Sequence, residues 1–355
     1  MTQESIHETY MHRCIDLARS GLGNTAPNPL VGSVIVHNGL IIGEGFHEAY
    51  GGPHAEVNAV NSVENKELLK QSVLYVNLEP CSHTGKTPPC ADMIVRHGIP
   101  EVAVGTTDPN PLVAGRGIQR LQNAGVKVTT GILESKCIDL NKRFITYHSK
   151  KRPFVILKWA QTCDGFIDVL RDGTELLQPT WISNEISRMM VHNWRSEEQS
   201  ILIGTNTAAM DNPHLNVREW EGRSPIRMII DRNLVLKPEL NIFDNTSPTI
   251  IFNSIKNEEL DNTRYVKLGH NGNFIKSIMD YLYETGIQSV FVEGGRMLLE
   301  SLIKEKLWDE ARVFEGLKRF GAGIPAPELP VDCNPEKYCI QDDVLMIYRN
   351  HEGKL

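Results

Sequence analysis

The sequence predicts two α/β domains joined in one chain, and three observations predict it. The chain has 355 residues, beyond the roughly 250–300 at which a single core stops growing. Each half alternates short runs rich in valine and isoleucine with stretches of helical spacing, the pattern of layered α/β domains. Between the halves lies the segment 141–153, with the basic cluster Lys150-Lys151-Arg152, and a fresh strand begins at Phe154. The expected domains are 1–147 and 148–355.

In chain order, 33–47 reads as a hairpin, because Val34-Ile35-Val36 and Leu40-Ile41-Ile42 flank Asn38-Gly39, a pair suited to the positive φ angles of a two-residue turn. A helix is expected from Pro53, since proline opens a helix without forfeiting a needed donor. Its apolar positions are Val57 and Val60, and His54 and Glu56 fall in its first turn. Strands are expected at 73–78, 102–105 and 126–129, with helices at 90–97 and 118–124 between them. In the second half, strands are expected at 154–159, 200–203, 226–231, 249–252 and 289–292, and a helix near 184–195. No internal repeat or low-complexity tract interrupts this alternation.

Composition narrows the function classes. A hydrophobic fraction of 41% with 23% charged residues is ordinary for a globular chain. A formal charge of -7 opposes binding to phosphate polyanions, so no nucleic-acid partner is expected. Without an apolar run of about 20 residues, or a basic-then-apolar start, neither a membrane span nor a signal peptide is expected, and the expected location is the cytoplasm. Seven cysteines, an odd and scattered count, suit a reducing compartment better than a disulfide framework.

Two of those cysteines stand in a motif. His54-Ala55-Glu56, then Pro80-Cys81, then Cys90 offer one imidazole and two thiolates, the three protein ligands of a catalytic zinc with one open position. A zinc ion there lowers the pKa of water to about 7. Glu56, two residues after the histidine, is placed to carry protons as general acid and base, the ordered arrangement of zinc deaminases acting on nucleobase-like rings. The helix expected after Cys90 favours a thiolate at its N-terminus. The competing reading is a closed structural zinc, for which His83 is the nearby fourth ligand. The interval between the cysteines, 82–89, carries Gly85, Lys86 and Thr87, equipment suited to an anionic substrate.

These residues, with Pro27-Asn28-Pro29, Asp108-Pro109-Asn110-Pro111 and Ala114-Gly115-Arg116-Gly117, resemble the bifunctional deaminase/reductase family of riboflavin biosynthesis. The resemblance implies a cytidine-deaminase-like three-layer domain followed by a dihydrofolate-reductase-like α/β domain. It implies two steps. A diaminopyrimidinone phosphoriboside first loses an amino group to water, and NADPH then reduces its ribosyl group to ribityl. It also implies Zn2+ and NADPH as cofactors, a small phosphoribosyl pyrimidine as partner, and a homo-oligomer, dimer or tetramer. By the same resemblance Asn28, Lys86, Thr87, Asp108 and Asn110 hold the pyrimidine or its phosphoribosyl group.

The second half resembles the family's reductase through 158–165, Trp181-Ile182-Ser183, 211–218 and the turn Val292-Glu293-Gly294-Gly295. Paired glycines between a strand and a helix let backbone approach a phosphate at the helix N-terminus. The resemblance puts Ala160, Trp181, Thr207, Asp211, Gly295, Arg296, Met297, Leu298, Leu299, Glu300 and Ser301 at cofactor contacts. Lys158, Arg195, Leu215, Arg218 and Glu293 come at substrate contacts, the arginines suiting the substrate phosphate. Two positions depart from the pattern: Pro179 stands where a substrate-binding serine is expected, and Arg232 where a small serine meets the cofactor. They motivate an alternative, a deaminase with a silent second domain. Two further rivals are a zinc-stabilised binding module and an editing deaminase acting on tRNA or DNA, both disfavoured by the acidic charge and the lack of a basic, aromatic-interleaved stripe.

Overall fold

Asn38 and Gly39 take φ angles of 49° and 78° and fold strand β1 (Gly32–His37) back onto β2 (Leu40–Phe46), the tight turn expected of the pair. In this computed structural model the described residues are 3–82, 88–110, 114–170, 180–269, 273–330 and 334–350. They form two compact units, Met1–Lys150 and Lys151–Leu355.

In the first unit, alternation along β1 builds three layers. Val34 and Val36 pack on one side of the sheet and Ile35 on the other, because successive strand side chains point to opposite faces. The sheet order is β2-β1-β3-β4-β5, with β3 (Val73–Leu78), β4 (Glu101–Thr106) and β5 (Lys127–Thr129) parallel. Helices α2 (Ala55–Ser62), α3 (Cys90–Arg96) and α4 (Arg116–Asn123) cover the face of Ile35 through Ala59, Val60, Ala91, Ile94 and Leu121. The other face packs against α1 (Gln3–Arg19) and α5 (Glu134–Leu140) through Met11, Cys14, Ile15 and Cys137. Helix α1 lies outside the expectations, although the spacing of Met11, Cys14, Ile15 and Ala18, all buried, is helical. Helix α6 (Lys142–Lys150) occupies most of the expected joining segment.

One boundary needs correction. Helix α2 starts at Ala55, and His54 is its extended N-cap residue, with φ −74° and ψ 159°. The imidazole is engaged by two sulfurs instead of turning back to cap the helix. Glu56 keeps its place in the first turn.

The second unit has a ten-stranded sheet. Its elements in chain order are β6 (Phe154–Thr162), β7 (Phe166–Asp168), α7 (Glu185–Glu197), β8 (Ser200–Gly204), α8 (Thr205–Asp211), β9 (Ile226–Ile230), β10 (Thr249–Asn253), β11 (Glu258–Leu260), β12 (Thr263–Lys267), α9 (Phe274–Glu284), β13 (Ser289–Val292), α10 (Arg296–Lys304), β14 (Glu310–Gly316), β15 (Ile324–Pro325), β16 (Glu336–Ile340) and β17 (Asp343–Arg349). The order is β11-β12-β10-β9-β8-β13-β6-β14-β17-β16, parallel from β12 to β14. The central strands are apolar on both faces, as a covered parallel sheet requires. Val155, Leu157, Val290 and Val292 meet α9 and α10, while Ile156, Ile201, Phe291 and Phe314 meet α7. Among the described residues no helix is long and apolar enough to cross a membrane.

Phe291 is fully buried on β13 and lies edge-on to Trp194 at 6.3 Å. Phe291→Ala is expected to destabilise this unit by about 3–5 kcal/mol through lost burial and the cavity left behind. All five tryptophans belong to this unit, so urea unfolding followed by intrinsic fluorescence reads it directly. A midpoint unchanged from wild type would contradict the packing described.

Candidate active sites

In the first unit the polar residues cluster where strands end and helices begin. His54 Nδ1 lies 3.5 Å from Cys81 Sγ and 3.3 Å from Cys90 Sγ, and the three ligand atoms fall within 4.8 Å of one another. A tetrahedral ion with bonds of about 2.3 Å to sulfur and 2.0–2.1 Å to nitrogen sets sulfur–nitrogen edges of about 3.5 Å. The donor set therefore fits zinc in spacing as well as in softness. Among the described residues it is the one such group of His, Cys, Asp or Glu side chains. His83, Lys86 and Thr87 lie outside the described residues.

The charges around the cluster are interdependent. Donation from the Cys90 thiol lowers the Cys81 thiol to about 4 against the effect of burial, with help from His54 and from the Cys90 backbone N–H at 3.3 Å. The same contact, with burial, pushes the Cys90 thiol upward. Glu56 is 3% exposed. Burial lifts its carboxyl to about 7, the charge of Cys81 adds to the rise, and His54 works against it.

Around this centre are side chains that sequence reasoning missed. His47 is buried, and its Nδ1 lies 2.8 Å from the Pro53 carbonyl, which only accepts. That nitrogen therefore carries the proton, and Nε2 accepts from the Asn28 amide at 3.0 Å. Burial lowers the His47 pKa, consistent with a neutral ring. Its ring stands edge-on to His54 at 5.7 Å, which brings Asn28 toward the cluster. Two buried asparagines hold the same segment: Asn77 Oδ1 accepts from Gly32 N at 2.7 Å, and Asn141 Oδ1 accepts from Leu30 N at 2.8 Å. A polar residue inside the apolar run 73–78 was the available signal for Asn77. Asp108 follows β4, is 9% exposed, and accepts from the Asn110 backbone at 2.8 Å.

In the second unit, Lys158, Arg195 and Glu293 come together from β6, α7 and the end of β13. Arg195 grips Glu293 with two prongs, Nη2 donating at 2.8 Å, and gives Nη1 to the Asn216 carbonyl at 3.0 Å. Lys158 Nζ stands 3.9 Å from Glu293 Oε2. Burial alone would raise the Glu293 carboxyl, but Arg195 and Lys158 outweigh it and hold it at about 2. Burial lowers Lys158, partly offset by Glu293. The bidentate face of Arg195 is thus turned to a carboxylate of the chain itself. Arg218 is exposed, with Nη1 3.3 Å from Asn216 Oδ1. Its backbone N–H donates to His192 Nδ1 at 3.3 Å. Burial, then Arg195 and Arg218, lower His192 to about 4.

Beside this cluster the glycine turn closes against α8. Gly294 has φ +118°, and a Cβ on Gly295 would lie 3.0 Å from Thr207 Oγ1. Gly204 N donates to Gly294 O at 3.1 Å, so the ends of β8 and β13 meet where ligands of open α/β sheets bind. Leu298 and Leu299 point into the core and Met297 is 76% exposed. Within the first turn of α10, Leu298 N and Leu299 N donate to the Gly295 carbonyl at 3.0 and 3.2 Å. Arg296 pairs with Glu300 at 2.6 Å, and Ser301 donates to the Met297 carbonyl. Ala160 lies on β6 and is partly buried, Asp211 ends α8, Leu215 is buried at 2%, and Trp181 is half-exposed under the Arg188 guanidinium. Arg232 is exposed, with its guanidinium 4.3 Å from the centre of the Phe274 ring. Pro179 lies outside the described residues.

Comparison with known proteins agrees across both units. Residues 4–106 match the cytidine and deoxycytidylate deaminase zinc-binding region, and residues 153–330 match the RibD C-terminal domain. The riboflavin biosynthesis protein RibD of Aquifex aeolicus is 39% identical over 334 residues, covering 92% of this chain and 91% of that protein. RibD of Bacillus amyloliquefaciens is 40% identical over 333 residues, covering 91% and 88%. The solved deaminase/reductase of Thermotoga maritima superposes with a TM-score of 0.88 at 38% identity, covering 98% of this chain and 99% of that one. Acinetobacter baumannii RibD superposes at 0.86 with 30% identity and the same coverage. The match spans the reductase half as fully as the deaminase half, which favours two activities over one. The chain therefore belongs to the RibD family, the zinc- and NADPH-dependent bifunctional deaminase/reductases of riboflavin biosynthesis.

Proposed function

We propose that residues 1–150 deaminate 2,5-diamino-6-(5-phosphoribosylamino)pyrimidin-4-one and that residues 151–355 reduce the ribosyl group of the product. The observation that carries the first step is a buried carboxyl, Glu56, two residues from His54 and beside two converging sulfurs. His54, Cys81 and Cys90 are the residues that would hold zinc, which supplies activated water at neutral pH. Glu56 takes a proton from the attacking water and returns it to the departing amine as general base and then general acid. Asn28, with its NH2 turned to His47, keeps its carbonyl oxygen for a donor on the pyrimidine. Asp108 and Asn110 hold the substrate from the end of β4, and Lys86 and Thr87 complete the contacts from the interval between the cysteines.

In the second unit NADPH supplies the hydride that turns ribosyl into ribityl. Its pyrophosphate is proposed to lie on the first turn of α10, beside Thr207 and the glycine turn, with Ala160, Trp181 and Asp211 completing the cofactor contacts. Lys158, held beside Glu293, faces the reacting end of the substrate, with Leu215 alongside. Arg195 keeps Glu293 ionised, and Arg218 takes the phosphate. The enzyme is read as cytoplasmic and as a homo-oligomer; exposed Ile186 and Met189 on α7 bear on the assembly alone, which sedimentation of the purified protein tests.

The test of the whole reading is ammonia release and NADPH oxidation in one mixture of metal-loaded protein and the diaminopyrimidine phosphoriboside. Both signals are expected, and ammonia alone would return the silent-reductase alternative. Glu56→Gln is expected to keep one zinc per chain and lower ammonia release by at least about 100-fold, with NADPH oxidation on the deaminated substrate unchanged. Substantial remaining deamination would remove Glu56 from the proton-carrying role. Stripping zinc with a chelator is expected to stop ammonia release and spare the reductase.

The pH dependence follows from His192. Its folded pKa of about 4 lies below the unfolded value of about 6.5, so between the two the unfolded chain binds more protons. The stability contributed by the neutral ring is therefore full above pH 6.5 and is lost as pH falls toward 4. The tryptophan-monitored urea midpoint is expected to drop between pH 7 and pH 5, and His192→Gln is expected to flatten that drop. Equal slopes in the two proteins would assign the acid sensitivity elsewhere.

A further inference from the structure

Glu79 is 4% exposed and stands two residues before Cys81. Its carboxylate accepts four backbone N–H groups and no side chain. Oε1 takes Gly117 N at 2.9 Å and Ile118 N at 3.2 Å, while Oε2 takes Gly115 N at 2.9 Å and Asp108 N at 3.2 Å. Two of these donors belong to the first turn of α4, whose N-cap, Gly115, has a φ of +73° and no side chain to offer. A carboxylate from the end of β3 thus caps a helix from outside it. Contact is close: a Cβ on Gly117 would lie 1.9 Å from the Pro80 carbonyl and 3.2 Å from Glu79 Oε1. Glu79 N in turn donates to Thr106 O at 3.0 Å. One tripeptide, Glu79-Pro80-Cys81, therefore carries a proposed zinc ligand at one end and, at the other, the tether of residues 106–110 and 114–118, Asp108 and Asn110 among them.

We infer that Glu79 is a positioning residue of the deaminase: it fixes the Asp108 segment relative to the metal ligands and so sets substrate affinity without touching the reacting atoms. The geometry requires two acceptor oxygens. Four N–H donors need two acceptor oxygens, each with two lone pairs, and a carboxylate accepting amides in a buried site makes charge-assisted hydrogen bonds. A glutamine of the same shape supplies one such oxygen. Its NH2 group would face two of the amides donor to donor, leaving either the 108/115 pair or the 117/118 pair unsatisfied. Aspartate keeps the charge with a shorter reach and should recover part of the geometry.

The inference rests on the assignment of Asp108 and Asn110 to substrate, and the experiment separates the two. Ammonia release is measured for wild type, Glu79→Gln and Glu79→Asp as full-length, zinc-loaded protein, with metal content determined alongside. The expected result for Glu79→Gln is one zinc per chain, a KM raised tenfold or more and a kcat within about threefold of wild type, with Glu79→Asp between the two in KM. A KM within twofold of wild type in a zinc-replete Glu79→Gln protein overturns the inference while leaving the deaminase reading intact. So does a kcat that falls with KM unmoved. No ammonia from the wild type overturns both. Should Glu79→Gln fail to fold, amide exchange in the wild-type chain decides: protection of Gly115, Gly117 and Ile118 comparable to that of β3 supports the tether, and exchange as fast as exposed turns refutes it.

Discussion

Two sulfurs, an imidazole and a carboxyl crowded into one buried place are the constraint around which the first unit is arranged. Burying several groups that can become anions is unfavourable unless a positive charge compensates them. The titration directions display this: Cys81 ionises early, its hydrogen bond and burial push Cys90 upward, and burial lifts Glu56 with the Cys81 charge adding to the rise. A divalent cation relieves the thiolates by coordination. The surrounding structure accordingly serves to hold ligands at fixed distances. His54 ends an extended segment, Cys81 follows a strand and Cys90 opens a helix, so each sits on backbone whose direction is set by packed elements and not by a loop of its own.

The second unit meets the same difficulty with its own cations. Glu293 is largely shielded from water, yet remains well below the usual carboxylate range because Arg195 grips it and Lys158 stands close. The cluster, one carboxylate with two cations, carries a net positive charge in a partly dry setting, where it acts at longer range than in water. Such a charge favours an anionic ligand before any specific contact forms. Arg195 does this from behind the carboxylate, whereas Arg218 is exposed. The neutral His192 that receives the Arg218 backbone amide adds no further cation, which fits its pKa being forced down by burial and then by Arg195 and Arg218.

What could be read in advance was what depends on local order. The Asn38-Gly39 turn, the alternation along β1, strands β3, β4, β6, β8, β9, β10 and β13 and the spacing of His54, Glu56, Cys81 and Cys90 are all near-neighbour properties of the sequence, whereas the pairing of the parallel strands and strands β12 and β14 lie outside the expectations. The start of α2 was misjudged by two residues, Pro53 against Ala55, because a proline predicts an opening but cannot reveal that the next imidazole is already engaged by sulfurs from distant segments. Helix α1 was legible in the spacing of its buried residues yet hidden by a polar first turn. The polar residues that fix Asn28 and Asp108 were not legible as such. His47, Asn77, Glu79 and Asn141 act through partners as far as 111 residues away, and nothing in a single sequence says which backbone group a lone asparagine or glutamate will meet.

These hidden residues share a physical logic that bears on how such a site can be precise. Each is a buried side chain bonded to backbone: His47 to a carbonyl on one nitrogen, Asn77 and Asn141 through both edges of their amides at residues 30–32, Glu79 to four N–H groups. A buried polar group costs free energy unless every bond it can make is made. Each therefore tolerates little displacement of the segment it binds. Exposed side chains could not impose that discipline, since water would replace a lost partner at small cost. The segments that carry Asn28 and Asp108 are thus held by buried polar residues, placed where a displacement leaves a buried donor without its acceptor.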